Sequence, residues 1–159
     1  MPAARPAGAP ATDEPAAGFD ALFGLLHVQA HVVRAIDEAL ERAHATGITG
    51  YEVLYRLARM PGGAASVRDL AAQVVVGPSR VSRVADGLAR RGLLARCGSP
   101  DDGRVSIVRL TPAGEEVLGA LQTTFEAALV EHFLSRLTCG QVAALVDTAR
   151  ALGAPHCGG

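Results

Sequence analysis

Pro78-Ser79-Arg80-Val81-Ser82-Arg83-Val84-Ala85-Asp86-Gly87-Leu88-Ala89-Arg90-Arg91-Gly92-Leu93-Leu94 is the stretch on which the reading of this chain turns. Val81, Val84, Ala85 and Leu88 recur at three- and four-residue steps, the spacing of one face of a helix. Gly77-Pro78 opens that helix, because proline suits a first helical position whose N–H has no partner, and Gly92 closes it. With the apolar stripe inward, Ser79, Arg80, Ser82, Arg83, Asp86 and Arg90 face outward. Short hydroxyls bond phosphates or bases, and a guanidinium can grip guanine O6 and N7 with two bonds, so this face suits a DNA major groove. A plain solvated face rich in arginine has the same pattern, so the neighbouring segments decide.

Upstream, Ser66 caps a short helix carrying Val67, Leu70, Ala71 and Val74. A turn near residues 75–77 joins the two helices into a helix-turn-helix unit, with Ser66 and Arg68 at the start of the first. Downstream the period changes. Residues 93–97 and 105–110 read as two strands around Gly98-Ser99-Pro100-Asp101-Asp102-Gly103-Arg104, which is dense in turn formers. This β-hairpin would be a wing. Arg104 at its tip can enter a minor groove, and Asp102 can pair with it and set its direction.

Further out, Leu22, Leu25, Leu26, Val28, Val32, Val33, Ile36 and Leu40 mark a long helix from Phe19 to about Ala45. A helix of that length spans about 40 Å, long for so small a domain, which implies packing on a partner chain. Thr49 caps a second helix, with Glu52 placed as in a capping box; Val53, Leu54, Leu57 and Met60 form its stripe, and Pro61-Gly62-Gly63 ends it. Thr111-Pro112 opens a fifth helix with Val117, Leu118, Leu121, Phe125, Ala128, Leu129 and Phe133, and Thr138 opens a sixth with Val142, Leu145, Val146, Ala149 and Leu152. The expected fold is mainly α with a small β-hairpin wing: a winged helix-turn-helix flanked by long dimerisation helices. Its divisions are a Pro/Ala arm (1–17), an N-terminal dimerisation helix (18–47), a DNA-binding lobe (48–111), C-terminal dimerisation helices (112–153) and a tail (154–159).

Composition narrows the function classes. The chain has 159 residues and is 49% hydrophobic, which suffices for a sizeable core and excludes disorder throughout. A net charge of -1 excludes a uniformly basic nucleic-acid binder. The charge is uneven, however. Residues 66–111 hold eight arginines and four aspartates, net +4, and the remainder is net -5. A positive centre with negative flanks can be steered onto a phosphate backbone. All fifteen basic residues are arginine; with heavy Ala and Gly usage this reads as codon bias and is not itself a functional signal. Cys97, Cys139 and Cys157 are odd in number and lack CxxC spacing, and no signal peptide is recognisable, so a reduced, cytoplasmic setting is expected. Unbroken apolar runs are short, so no membrane span is expected.

From Ile48 to Gly114 the chain resembles the MarR family of bacterial winged-helix transcription regulators. The resemblance rests on Ile48-Thr49, Ser66-Val67-Arg68-Asp69-Leu70-Ala71, Pro78 to Val84, Leu88-Ala89-Arg90-Arg91-Gly92-Leu93-Leu94, Asp101-Asp102-Gly103-Arg104 and Leu110-Thr111-Pro112-Ala113-Gly114, in this order and spacing. It implies an obligate homodimer, a recognition helix in the major groove, a wing arginine in the minor groove, and repression relieved by a small, often aromatic or anionic ligand. The implied partners are a pseudo-palindromic double-stranded DNA operator, a second copy of the chain and an effector, with no cofactor and no membrane. The expected DNA-contacting set is Ser66, Arg68, Ser79, Arg80, Ser82, Arg83, Asp102 and Arg104. The chain departs from the family at Ser99, where an acidic residue commonly precedes the proline, and at Gly87 inside the recognition helix, for which tight packing is the expected reason. Residues 19–45 hold no cysteine and the chain holds no Trp, so the family's peroxide-sensing and urate-binding arrangements do not carry over.

His27, His31 and Arg34 on the first helix, with Tyr51 and Tyr55 on the second, form the expected ligand site, suited to a small anion with an apolar body. An ion pair of Arg34 with Asp37 or Glu38 is the plain alternative. His27 and His31 also have a metal-compatible i, i+4 spacing, but no third ligand lies near, so no metal is assigned. No catalytic triad, phosphate loop or carboxylate pair is present, and no enzymatic activity is expected. The alternative functions are a winged-helix protein–protein module and a thiol enzyme using Cys97 beside Arg96.

Overall fold

A computed structural model describes residues 15–98 and 106–153. The N-terminal arm up to residue 14, the hairpin tip with Asp102 and Arg104, and the tail from residue 154 lie outside the described residues. The order of elements is α1 (Pro15–His44), α2 (Ile48–Ala58), β1 (Ala64–Ser66), α3 (Val67–Ala71), α4 (Pro78–Arg90), β2 (Leu94–Gly98), β3 (Ser106–Leu110), α5 (Pro112–His132) and α6 (Cys139–Ala151). It is a winged helix-turn-helix between long helices, as the sequence leads one to expect.

The local signals for helix ends hold at several places. Ser66 Oγ accepts from Asp69 N at the start of α3, Thr111 Oγ1 accepts from Gly114 N at the start of α5, and Thr138 with Gln141 forms a capping box at the start of α6. Each satisfies an N–H that the first helical turn leaves unpaired. Gly77 and Pro78 begin α4 as expected.

Four expectations need correction. First, α1 begins at Pro15, inside the expected arm. Second, Thr49 and Glu52 make no capping box. The N-cap of α2 is Gly47, without a side-chain cap of its own, and the Ile48 N–H donates instead to Asp37 Oδ1 on α1 at 2.7 Å. Thr49 is buried, and Glu52 pairs with Arg56. A carboxylate reaching across from a neighbouring helix replaced the local cap. Third, the sheet has three strands in the order β1-β3-β2, not a lone hairpin. Ala64-Ala65-Ser66 pairs antiparallel with β3, with Ser66 opposite Ile107. Three small residues of low strand propensity are too short to alternate, so nothing local announced them. Fourth, short unbroken runs hid how apolar α1 is as a whole: by length and composition alone it could cross a membrane, a test that helices of soluble proteins also pass. Its apolar residues are interrupted too often to form a run, yet they accumulate along the helix.

The core lies where α2, α3, α4 and the sheet meet the C-terminal half of α1 and the middle of α5. Leu40, Leu54, Leu57, Leu70, Val81, Val108 and Leu121 are fully buried there. Each such side chain removed from water contributes about 1.5–3 kcal/mol. The first half of α1 contributes nothing to this core. Residues 15–31 are all exposed, with Phe19 and Phe23 each more than 60% exposed. The expected stripe of α6 is also uncovered: Leu145, Val146 and Leu152 are exposed, and the helix buries no residue.

Candidate nucleic-acid interface

Helix α4 turns Val81, Ala85 and Leu88 into the core and leaves Ser79, Arg80 and Arg83 exposed, with Ser82 half-buried. Val84, expected inward, is half-buried on the wall of a cleft of about 420 Å³ between α4 and the end of α1. Gly87 lines the same cleft. A Cβ there would meet only Arg90 Nη2 at 3.8 Å, so tight packing is not the reason for this glycine.

The arginines of the basic segment divide into two groups. Arg91, Arg96 and Arg109 are committed within the chain. Arg109 Nη1 donates to Gly62 O at 2.7 Å, tying β3 to the turn before β1. Arg96 on β2 pairs with Asp86 of α4 at 2.5 Å and donates to Ser106 on β3, fixing the root of the hairpin against α4. Asp86, read from sequence as simply outward, therefore has its charge neutralised. Arg91 donates to the end of α1. By contrast Arg68, Arg80, Arg83 and Arg90 are exposed and make no hydrogen bond or ion pair among the described residues. Ser66 is occupied: it accepts from Asp69 N and donates to Asp69 Oδ2. Sequence reasoning missed Arg91 and Arg96, because free and committed arginines look alike along a chain.

The expected ligand residues fall into separate settings. His27 and His31 are exposed, with ring centroids 4.9 Å apart. Arg34 lies 3.7 Å from Glu38 in an exposed ion pair, the plain alternative weighed for it. Tyr51 is buried and stacked on Phe125 of α5 at 4.7 Å, and Arg59 both donates to the Tyr55 hydroxyl and lies over its ring. Among the described residues no ring contact joins the histidines to the tyrosines. No group of three or more His, Cys, Asp and Glu suited to one metal ion occurs among them either.

Burial, reinforced by Tyr55 and Glu126 and opposed by Arg59, raises the Tyr51 phenol above its ordinary value of 10.0. A phenol that ionises less readily when folded favours folding below pH 10.0 and loses that contribution as pH rises through its folded value. Alkaline unfolding should therefore show a component that Tyr51→Phe removes. Identical pH dependence of the two proteins in urea titrations above that pH would refute it.

The sequence profile of the MarR family matches residues 46–105. The HTH-type transcriptional repressor MdtR of Bacillus subtilis (strain 168) is 31% identical over 117 residues, which cover 71% of this chain and 72% of that one. The chain belongs to the MarR family. It is a MarR-family transcriptional regulator, and neither its relatives nor its fold is that of an enzyme. Among solved structures, Sco3205, a MarR regulator from Streptomyces coelicolor in complex with DNA, superposes with a TM-score of 0.79 at 24% identity, covering 86% of this chain and 89% of that one. BldR from Sulfolobus solfataricus superposes with a TM-score of 0.77 at 19% identity, covering 89% and 97%. At these identities the superpositions carry the MarR fold alone.

Proposed function

We propose that this MarR protein is a homodimeric repressor that binds a pseudo-palindromic double-stranded DNA operator and is released from it by a small ligand. The observation that carries the reading is the freedom of Arg68, Arg80 and Arg83 beside Ser79 and Ser82, while Arg91, Arg96 and Arg109 of the same segment are tied down within the chain. Exposed guanidinium groups with no partner inside the fold keep their full donor sets and charge for phosphates. Arg83 reads a base edge, Arg68 and Arg80 hold phosphates, and Arg104, with Asp102, serves the minor groove. A repressor relative and a relative solved on DNA support the same reading. Selection of bound sequences from random duplex DNA tests it: enrichment of one pseudo-palindrome is expected, and no enrichment overturns it.

Support for dimerisation comes from the uncovered apolar residues of α1 and α6, since contiguous exposed apolar faces mark interaction sites. Two recognition helices related by a two-fold axis lie about 34–36 Å apart, which sets half-sites roughly 10 bp apart. Sedimentation equilibrium at micromolar concentration is expected to give the mass of two chains; the mass of one chain would sink the proposal.

Release requires a ligand that prefers the arrangement unable to bind DNA. His27, His31, Arg34, Tyr51 and Tyr55 remain the proposed contacts for a small anion with an apolar body. Support comes from the exposure of the first three, on the segment of α1 that a second chain would approach. Aromatic carboxylates such as salicylate are expected to displace the operator. Unchanged release in Arg34→Ala and His31→Ala would move the site elsewhere.

A further inference from the structure

The end of α1 is held from three sides. Its last carbonyls have no intrahelical partner, and Ala45 follows in a left-handed conformation with φ 49°. Arg91, the residue after α4, reaches back to this end. Its guanidinium donates to Ala45 O at 2.7 Å, to His44 O at 2.9 Å and to Thr46 Oγ1. A cation at the negative end of a helix dipole, bonded to the orphan carbonyls, is a favourable placement. The same corner is fixed to α5, where the His44 ring lies 2.8 Å from Thr124 Oγ1, and to α2 through Asp37 and Ile48 N. It has no slack. A Cβ on Gly47 would stand 2.5 Å from Asp37 Oδ1 and 2.9 Å from Glu41 Oε1, and one on Gly50 would stand 2.6 Å from Thr46 Cγ2. Arg91 thus ties the end of the recognition helix to a corner of the long helix that is itself hydrogen-bonded to α2 and α5. By hydrogen bonds it is the one such tie from α4 and its cap to α1 among the described residues.

We propose that Arg91 is a positioning residue that sets the distance between the two recognition helices of the dimer, and with it the half-site spacing the protein accepts. The inference rests on the DNA-binding dimer proposed above. A dimer reads spacing only if each recognition helix is rigidly referred to the two-fold axis, and α1 is the element that runs from α4 toward the proposed interface. Arg91 contacts no base in this scheme. It acts by limiting how far α4 swings relative to α1.

The test uses the full chain and the duplex enriched by the wild type, together with versions carrying one base pair more or fewer between half-sites. For the wild type, the altered spacing should cost at least about tenfold in affinity. Arg91→Ala should lower that penalty to about threefold or less, because the charge-assisted bonds holding the helix are gone. Arg91→Lys, which keeps the charge but not the planar fork, should fall between the two. Arg42→Ala removes a cation from the same last turn of α1 whose Nε donates only within its own helix, to Glu38 O, and should keep the full penalty. Thermal melting reports stability separately. A folded Arg91→Ala with an undiminished spacing penalty overturns the proposal; should that variant not fold, an undiminished penalty in Arg91→Lys does so. Failure of the wild type to enrich any duplex overturns the DNA-binding reading itself, a result visible before any variant is made.

Discussion

Gly114→Ala is expected to lower stability by about 3 kcal/mol, near the top of the range for a single added methyl. Gly114 sits in the first turn of α5, where the helix crosses the start of β2. An added Cβ would stand 2.2 Å from the Leu93 carbonyl oxygen and 2.7 Å from Leu110 Cδ1. The Leu110 side chain can rotate, but the Leu93 oxygen is backbone and is already committed. It accepts from Thr111 N at 3.2 Å and Thr111 Oγ1 at 3.0 Å, the residue that caps α5. Relief therefore requires α5 to shift off the sheet and loosen its own cap, uncovering Leu118 and Leu121. Gly119→Ala on the same helix is the control. Nothing lies within 4 Å of a Cβ there, so it should gain up to about 1 kcal/mol from helix propensity alone. Urea denaturation of both proteins checks the pair. A Gly114→Ala midpoint equal to that of the wild type would show that α5 does not pack as described.

Arg83→Ala and Arg104→Ala are expected to damage operator binding in different ways. Arg83 is exposed on α4 with no partner to give up among the described residues, so it meets a base edge with its full donor set. Its loss should cost about 1–3 kcal/mol and relax the preference at one position per half-site. Arg104, outside the described residues, belongs to the proposed wing contact. Its loss should weaken binding chiefly on sequences whose minor groove is narrow, where the negative potential that holds a guanidinium is deepest. Repeating the duplex selection with each variant separates the two effects. Equal, small losses spread evenly over all sequences would count against both assignments.

Where a structural decision is made within a few residues, the sequence alone carried it. The α4 stripe, the caps at Ser66, Thr111 and Thr138, and the strands on either side of the hairpin follow from periodicity and from hydrogen bonds three residues apart. Together they were enough for the winged helix-turn-helix and for the MarR resemblance. The tertiary structure alone decided what depends on residues far apart in the chain. Strand β1 exists because β3 offers it a free edge, and α2 is capped by Asp37 from eleven residues away. The arginines show the difference best. Eight identical side chains in one segment cannot be ranked by sequence, because each has the same charge and reach. Only folding brings Gly62, Asp86 and the end of α1 beside Arg109, Arg96 and Arg91, while Arg68, Arg80 and Arg83 are left in solvent. A guanidinium that finds a carbonyl or carboxylate inside the fold becomes structure, and one that finds none keeps its donors for a partner.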